Sequence, residues 1–207
     1  TIETIQEVRG ENGNGIFSEN HGGKLTITTS GTIEGTSNGI YAMNSGNGST
    51  DIRSTGNVTA SSGNGIFVNN GNNTKGLTIT TNVISGTDNG IYATNNGTGE
   101  TRIVNQALVT ADKNTGISVT NTNQAQGLHI NSLIINAGTN GIVANNHARG
   151  DTVISSKGPI TATHGYGIWA ENGEQAGNII IKSEGAINGG STGIEIHNHG
   201  SGFTSLT

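Results

Sequence analysis

The sequence predicts an all-β fold: a right-handed parallel β-helix, a solenoid of about eight coils of roughly 25 residues with three parallel sheets. Three observations lead there. Gly-Ile recurs at Gly15, Gly39, Gly65, Gly90, Gly116, Gly141, Gly167 and Gly193, with gaps of 24, 26, 25, 26, 25, 26 and 26 residues. Each repeat carries short segments that alternate apolar and polar residues, the signature of strands, and no stretch has a helical period. The composition suits a narrow core, with 35 Gly, one Pro, 30% hydrophobic and 3% aromatic residues. A disordered polar chain would share that low hydrophobicity. It would normally carry a high net charge, whereas this one is only -5, and it would hold no period.

Each coil contains three apolar segments in order. The first is Gly-Ile-x-small, as in Gly39-Ile40-Tyr41-Ala42. The second follows about a dozen residues later, as in Leu25-Thr26-Ile27 and Leu77-Thr78-Ile79. The third is centred on Ile33, Val58, Ile84, Leu108, Ile135, Ile160 and Ile187. Ile2 and Val8 match the second and third segments, so a partial coil precedes Gly15. Stacked coils let each strand pair with its equivalent one coil away, without the crossover helices that parallel strands usually need. Residues 1–207 thus read as one β-helix domain. Neither terminus reads as a cap for the open sheet edges, so the natural protein is expected to continue beyond this sequence.

Stacking turns each repeat position into a column. The Ile after each Gly is invariant and is expected to point inward, as is the mostly small residue two positions on. The fifth position after Gly is also invariant: Asn20, Asn44, Asn70, Asn95, Asn121, Asn146, Asn172 and Asn198. Stacked Asn amides are expected to form a structural ladder, bonding one another and the backbone of a bend. The Gly column reads as a backbone requirement, either for positive φ or for close packing at a corner.

Candidate binding residues come from two places. The residue after each Ile reads Phe17, Tyr41, Phe67, Tyr92, Ser118, Val143, Trp169 and Glu195, and should face solvent because it accepts Ser and Glu. It nevertheless holds five of the chain's seven aromatics, and Phe17 to Tyr92 should stack about 4.8 Å apart. Such a stripe has two readings: rings that stabilise neighbouring coils by stacking, about 0.2–1 kcal/mol per pair, or an exposed apolar surface that binds a partner. The variable loops after the Asn column are a second binding rim and carry Lys24, Lys75 and Arg149.

Several kinds of chemistry find no residues. There is no Cys, which removes disulfides, thiolate metal sites and a Cys nucleophile. Nine Lys and Arg against fourteen Asp and Glu give no basic field for nucleic acid. The acids are scattered and form no catalytic cluster, so no enzyme activity and no cofactor is expected. Asp51 with Arg53 and Glu100 with Arg102 read as surface ion pairs. His197 and His199 share one side of a strand with Glu195 at the alternation to join them, but no full metal site is evident. No run is long enough to span a membrane, and Thr1 to Gly10 hold no signal segment.

Repeats such as Asn38-Gly39-Ile40-Tyr41-Ala42 and Thr55-Gly56-Asn57-Val58-Thr59-Ala60, on a Gly-, Asn- and Thr-rich, Cys-free β-helix, resemble the passenger domains of type V secreted autotransporters. More narrowly, the chain is similar to passengers of Bartonella autotransporters, including their angiogenic factor group. The resemblance covers essentially the whole chain. It implies a secreted or cell-surface virulence factor that binds a host-cell receptor, in that group a vascular endothelial growth factor receptor. The C-terminal β-barrel translocator and N-terminal protease domain of such proteins have no counterpart in residues 1–207. Two alternatives remain beside a host-receptor ligand: an adhesin or structural stalk binding extracellular matrix, and a pectin-lyase-like enzyme acting on polysaccharide. A receptor assay on the isolated chain separates the first from the stalk, and an oligosaccharide-degradation screen tests the enzyme.

Overall fold

Short period-two segments between Gly-, Asn- and Ser-rich bends leave their backbone groups one set of partners, the equivalent strands one coil above and below. The computed structural model, which describes residues 1–122 and 124–207, has this arrangement. Among the described residues there are 25 strands and no helix, hence none that could cross a membrane. Sheet A runs through nine strands from Ile2–Thr4 and Leu25–Thr29 to Thr204–Leu206. Sheet B runs through eight, from Val8–Gly10 to Ile187–Asn188, and sheet C through eight, from Ile16–Asn20 to Thr192–Asn198. Pairing is parallel throughout, and each strand meets the one three strands later in the chain. Coil 1 is counted from Gly15, and the partial coil before it supplies Ile2–Thr4 and Val8–Gly10.

The core is a stack of aliphatic side chains. The Ile column of sheet C is fully buried from Ile40 to Ile168 and loosens at Ile194 in the last coil. Ile27, Ile52, Ile79, Ile103, Ile130, Ile154 and Ile181 do the same from sheet A. Burying each contributes about 1.5–3 kcal/mol, so the narrow core is strong only as a sum over coils. The third inward column belongs to sheet B and corrects one expectation. Coil 4 presents Val109 to the core, and Leu108 turns half outward beside Ile134.

The Gly column is explained by close packing. A Cβ on Gly39 would run into Val58 Cγ1 and lie 2.6 Å from the Gly65 carbonyl oxygen. On Gly65 it would run into Ile84 Cγ2 and lie 2.7 Å from the Gly90 oxygen. Positive φ is not the reason, because among the described residues only Gly150, outside the column, has it.

Geometry also shows that the structural unit is a pair of coils. The first inward position of sheet A alternates Leu25, Thr50, Leu77, Thr101, Leu128, Thr152, Ile179, Thr204. Each buried Thr carries the Asn ladder to the next coil. Thr50 Oγ1 donates to Asn70 Oδ1 at 2.5 Å, Thr101 to Asn121 at 2.5 Å and Thr152 to Asn172 at 2.6 Å. Asn44 and Asn95 donate to the Thr of their own coil at 3.0 and 2.9 Å. In the first two Leu-type coils the hydroxyl is missing and amides meet directly, Asn20 to Asn44 at 2.8 Å and Asn70 to Asn95 at 3.4 Å, whereas Asn121 and Asn172 donate to backbone carbonyls of their own bends. Amide and hydroxyl links thus run unbroken from Asn20 to Asn121, with a Thr hydroxyl relaying every second step. A second ladder, from the residue before each Gly, links Asn14, Asn38, Asn64 and Asn89 at 2.8–3.0 Å.

Candidate functional site

Sheet C turns its outer face to solvent with two outward columns. The first brings Phe17, Tyr41, Phe67 and Tyr92 into register on adjacent strands. Coil spacing sets their separation. Ring centroids lie 5.2, 4.8 and 5.5 Å apart, and planes differ by 6, 5 and 9°. Each pair contributes about 0.2–1 kcal/mol to coil stacking. Stacking uses the ring faces and leaves the outer edges free. Phe17 is 57% exposed and Tyr92 38%, while Tyr41 and Phe67 are half-buried between them. Tyr41 Oη donates to Met43 Sδ at 2.9 Å, so that hydroxyl is turned along its own strand. A shallow depression of about 350 Å³ lies beside Phe67 and Tyr92, edged by Asn69, Asp88, Asn89 and Asn114.

Trp169 does not join this stack. Its cross-strand neighbours are Val143 and Glu195, and Ser118 and Val143 separate it from Tyr92. It packs instead with Tyr166 at 5.0 Å and with His197 at 4.7 Å between ring centres. His197 Nε2 lies 3.0 Å from Glu195 Oε1, and the His199 ring is 6.3 Å from that of His197. Among the described residues no group of three or more His, Asp or Glu side chains is placed to hold a metal ion.

The loop cations stay apart. Lys24, Lys75 and Arg149 are exposed in the bends between sheets C and A of coils 1, 3 and 6. Lys24 Nζ is held 3.2 Å from Asp51 Oδ2 of the next coil. That corrects the expected pairing of Asp51 with Arg53. Among the described residues neither that pair nor Glu100 with Arg102 forms, and Asp51 pairs with the coil below it instead. Arg9 is bound by Glu34, also one coil away, at 2.6 Å, and this hydrogen bond and charge raise the Arg9 pKa further. Sheet C itself carries Glu19, Glu171 and Glu195 on its strands and no Lys or Arg. Its face is thus aromatic in the first four coils and anionic toward both ends.

A β-solenoid of this kind is compatible with an autotransporter passenger. Set against protein-family models, curated proteins and solved structures, the chain matches none, and its resemblance to that group rests on its own repeats.

Proposed function

We propose that this chain is a binding module, the passenger-type β-helix of a bacterial autotransporter of the Bartonella kind. It is displayed or released outside the cell and engages a protein on the host-cell surface through sheet C. The reading rests on one observation above all: four parallel rings on consecutive coils, with their outer edges uncovered at Phe17 and Tyr92. Aromatic edges flanked by Glu19 and Asp88 favour a partner patch with an apolar centre and Lys or Arg at its rim. A vascular endothelial growth factor receptor is the partner that the family resemblance proposes.

The test is the triple variant Tyr41→Ser, Phe67→Ser, Tyr92→Ser. Ser118 already occupies this column, so the backbone accepts the residue. All three stacked pairs disappear, which lowers stability by about 1–3 kcal/mol. Each central aromatic of an interface contributes about 2 kcal/mol or more to binding, so attachment to endothelial cells should fall by well over a hundredfold. Unchanged attachment by a folded triple variant would assign the stack to packing and turn attention to Lys75 and Arg149.

A further inference from the structure

The turns from sheet A to sheet B obey one hydrogen-bonding rule. The first turn residue donates its N–H to the carbonyl of the last inward residue of sheet A one coil earlier. Thr55 bonds Thr29 at 2.9 Å, Asn82 bonds Ser54 at 3.2 Å, and Gln106 bonds Thr81 at 2.8 Å. Lys157 and Glu184 continue with Ser132 and Ser156 at 3.1 and 2.9 Å. Between coils 4 and 5 the rule fails. Leu133 does not reach Asn105, and Ile134 instead bonds Ala107 at 3.3 Å.

Strand pairing fails at the same place. Strands Thr101–Asn105 and Leu128–Ser132 part after Val104 and Asn131. Their neighbours pair one residue further, through Thr81 with Asn105 and Ser132 with Ser156. The turn of coil 5 is short, with Ile135 following Ile130 where Val109 follows Ile103 one residue later. Coil 3 has an equally short turn, from Ile79 to Ile84, but there the Asn82 amide donates to Thr55 O at 2.7 Å and holds it in place. Leu133 has no such group.

The gap leaves a buried acceptor unused. Asn105 is 4% exposed, and its Nδ2 donates to Asn82 O at 2.5 Å and to Thr81 Oγ1 at 3.4 Å. Its Oδ1 has no partner. Above it lies a groove of about 560 Å³ that follows the solenoid axis across four coils. Ser132 and Ser156 share its floor with Asn105, Leu133 lines a wall, and Lys157, Lys182 and the carboxylate of Glu184 stand at its far end. Both lysines are exposed, and among the described residues neither forms an ion pair.

We propose that this groove, on the corner opposite in role to sheet C, binds an acidic oligosaccharide. Two ammonium groups against the one carboxylate of Glu184 leave a net positive end that fits a carboxylate, and the amides and hydroxyl of Gln106, Asn131 and Ser155 along the groove fit the polar groups of a sugar. Further hydroxyls and amides repeat along the axis at coil spacing, as do the polar groups of a linear sugar chain. An acidic peptide fits less well. Extended peptides bind through their backbone to a free strand edge; sheet A runs on past the groove, and sheet B has an edge only at Ile187–Asn188 in the groove's last coil.

The experiment is NMR titration and calorimetry of the whole chain with a hyaluronan tetrasaccharide, whose units carry both carboxylate and acetamido groups. Chitotetraose is the neutral counterpart and tetraglutamate the peptide counterpart. The tetrasaccharide should shift the Asn105 side-chain amide and the Leu133 backbone amide. The double variant Lys157→Gln, Lys182→Gln should weaken it about tenfold or more, the loss of a charge-assisted contact, with an unchanged melting temperature. Arg53→Gln, in the same outward column as Lys182 but in coil 2, should leave binding intact. Chitotetraose should bind about tenfold more weakly. No binding, shifts confined to another face, or equal affinity for the neutral sugar would overturn the proposal. Tighter binding of tetraglutamate would overturn the saccharide assignment.

Discussion

Replacing Thr101 by Val probes the two-coil repeat at its centre. The side chain is fully buried, and Val has nearly its size and the same β-branch, so the strand and the packing are kept. What disappears is the hydroxyl. It accepts from Asn95 Nδ2 at 2.9 Å and donates to Asn121 Oδ1 at 2.5 Å. Asn95 Nδ2 keeps the Gly99 carbonyl at 3.1 Å, but Asn121 Oδ1 keeps no partner among the described residues. An unsatisfied buried acceptor costs about 1–3 kcal/mol and a lost hydrogen bond about 1 kcal/mol, together about 2–4 kcal/mol. For a chain of this length the melting temperature should drop by about 4–16 °C. Thr78→Val, on the outward face between Asp51 and Arg102, is the control and should stay within about 0.5 kcal/mol of the parent. Far-UV circular dichroism melts of both variants give the comparison. Should the two melt together, the Thr relay contributes nothing and the alternation of Leu and Thr needs another cause.

Ile91→Asp puts a carboxylate without a partner into a core one coil thick. It should abolish the cooperative melt and the strand signal, and a parent-like melt would refute the inward register of the Ile column. Gly90→Ala would press a methyl into Val109 Cγ1 and the Gly116 carbonyl, costing about 1–3 kcal/mol by chemical denaturation. Gly13→Ala, with open space around its Cβ position, should change stability by about 0.5 kcal/mol or less, and equal losses would show that crowding does not fix the Gly column.

The one-coil repeat was legible because Gly and Ile answer to constraints that are the same in every coil. The two-coil repeat was equally present and harder to see. It lies in alternations such as Leu77 with Thr101 and Phe67 with Tyr92, which a search keyed to Gly-Ile averages away. The misplacement of Leu108 has the same origin. Leu108 and Val109 are adjacent and both apolar, so alternation alone cannot choose between them. Distance to the next Gly of the column does choose: Val109 stands seven residues before Gly116, as Val58 does before Gly65. The stack of Phe17 to Tyr92 was legible because neighbours in a column are neighbours in space. The Asn105 gap was not. Coils 3 and 5 have equally short turns, and only the Asn82 amide, acting across coils, separates a closed turn from an open one.

These departures gather at one interface, that between coils 4 and 5. The ring stack ends there as Tyr92 meets Ser118. The second amide ladder passes from Asn89 to Thr115, which takes the bond through its backbone N–H at 3.1 Å. Sheet A loses its last pair, while sheet B gains one, Leu108 with Ile134, in the only two four-residue strands of that sheet among the described residues. In a solenoid stability is approximately a sum of coil terms and nearest-neighbour interface terms, so a gain on one sheet offsets a loss on another at the same interface. The extra apolar pair in sheet B does that. Leu108, next to the inward Val109, thus has a partner of its own in Ile134. The repeat is thus relaxed where the aromatic face on sheet C ends and the groove at the corner of sheets A and B begins. Regular columns hold the coils together, and the residues that break them are the ones with freedom to meet something else.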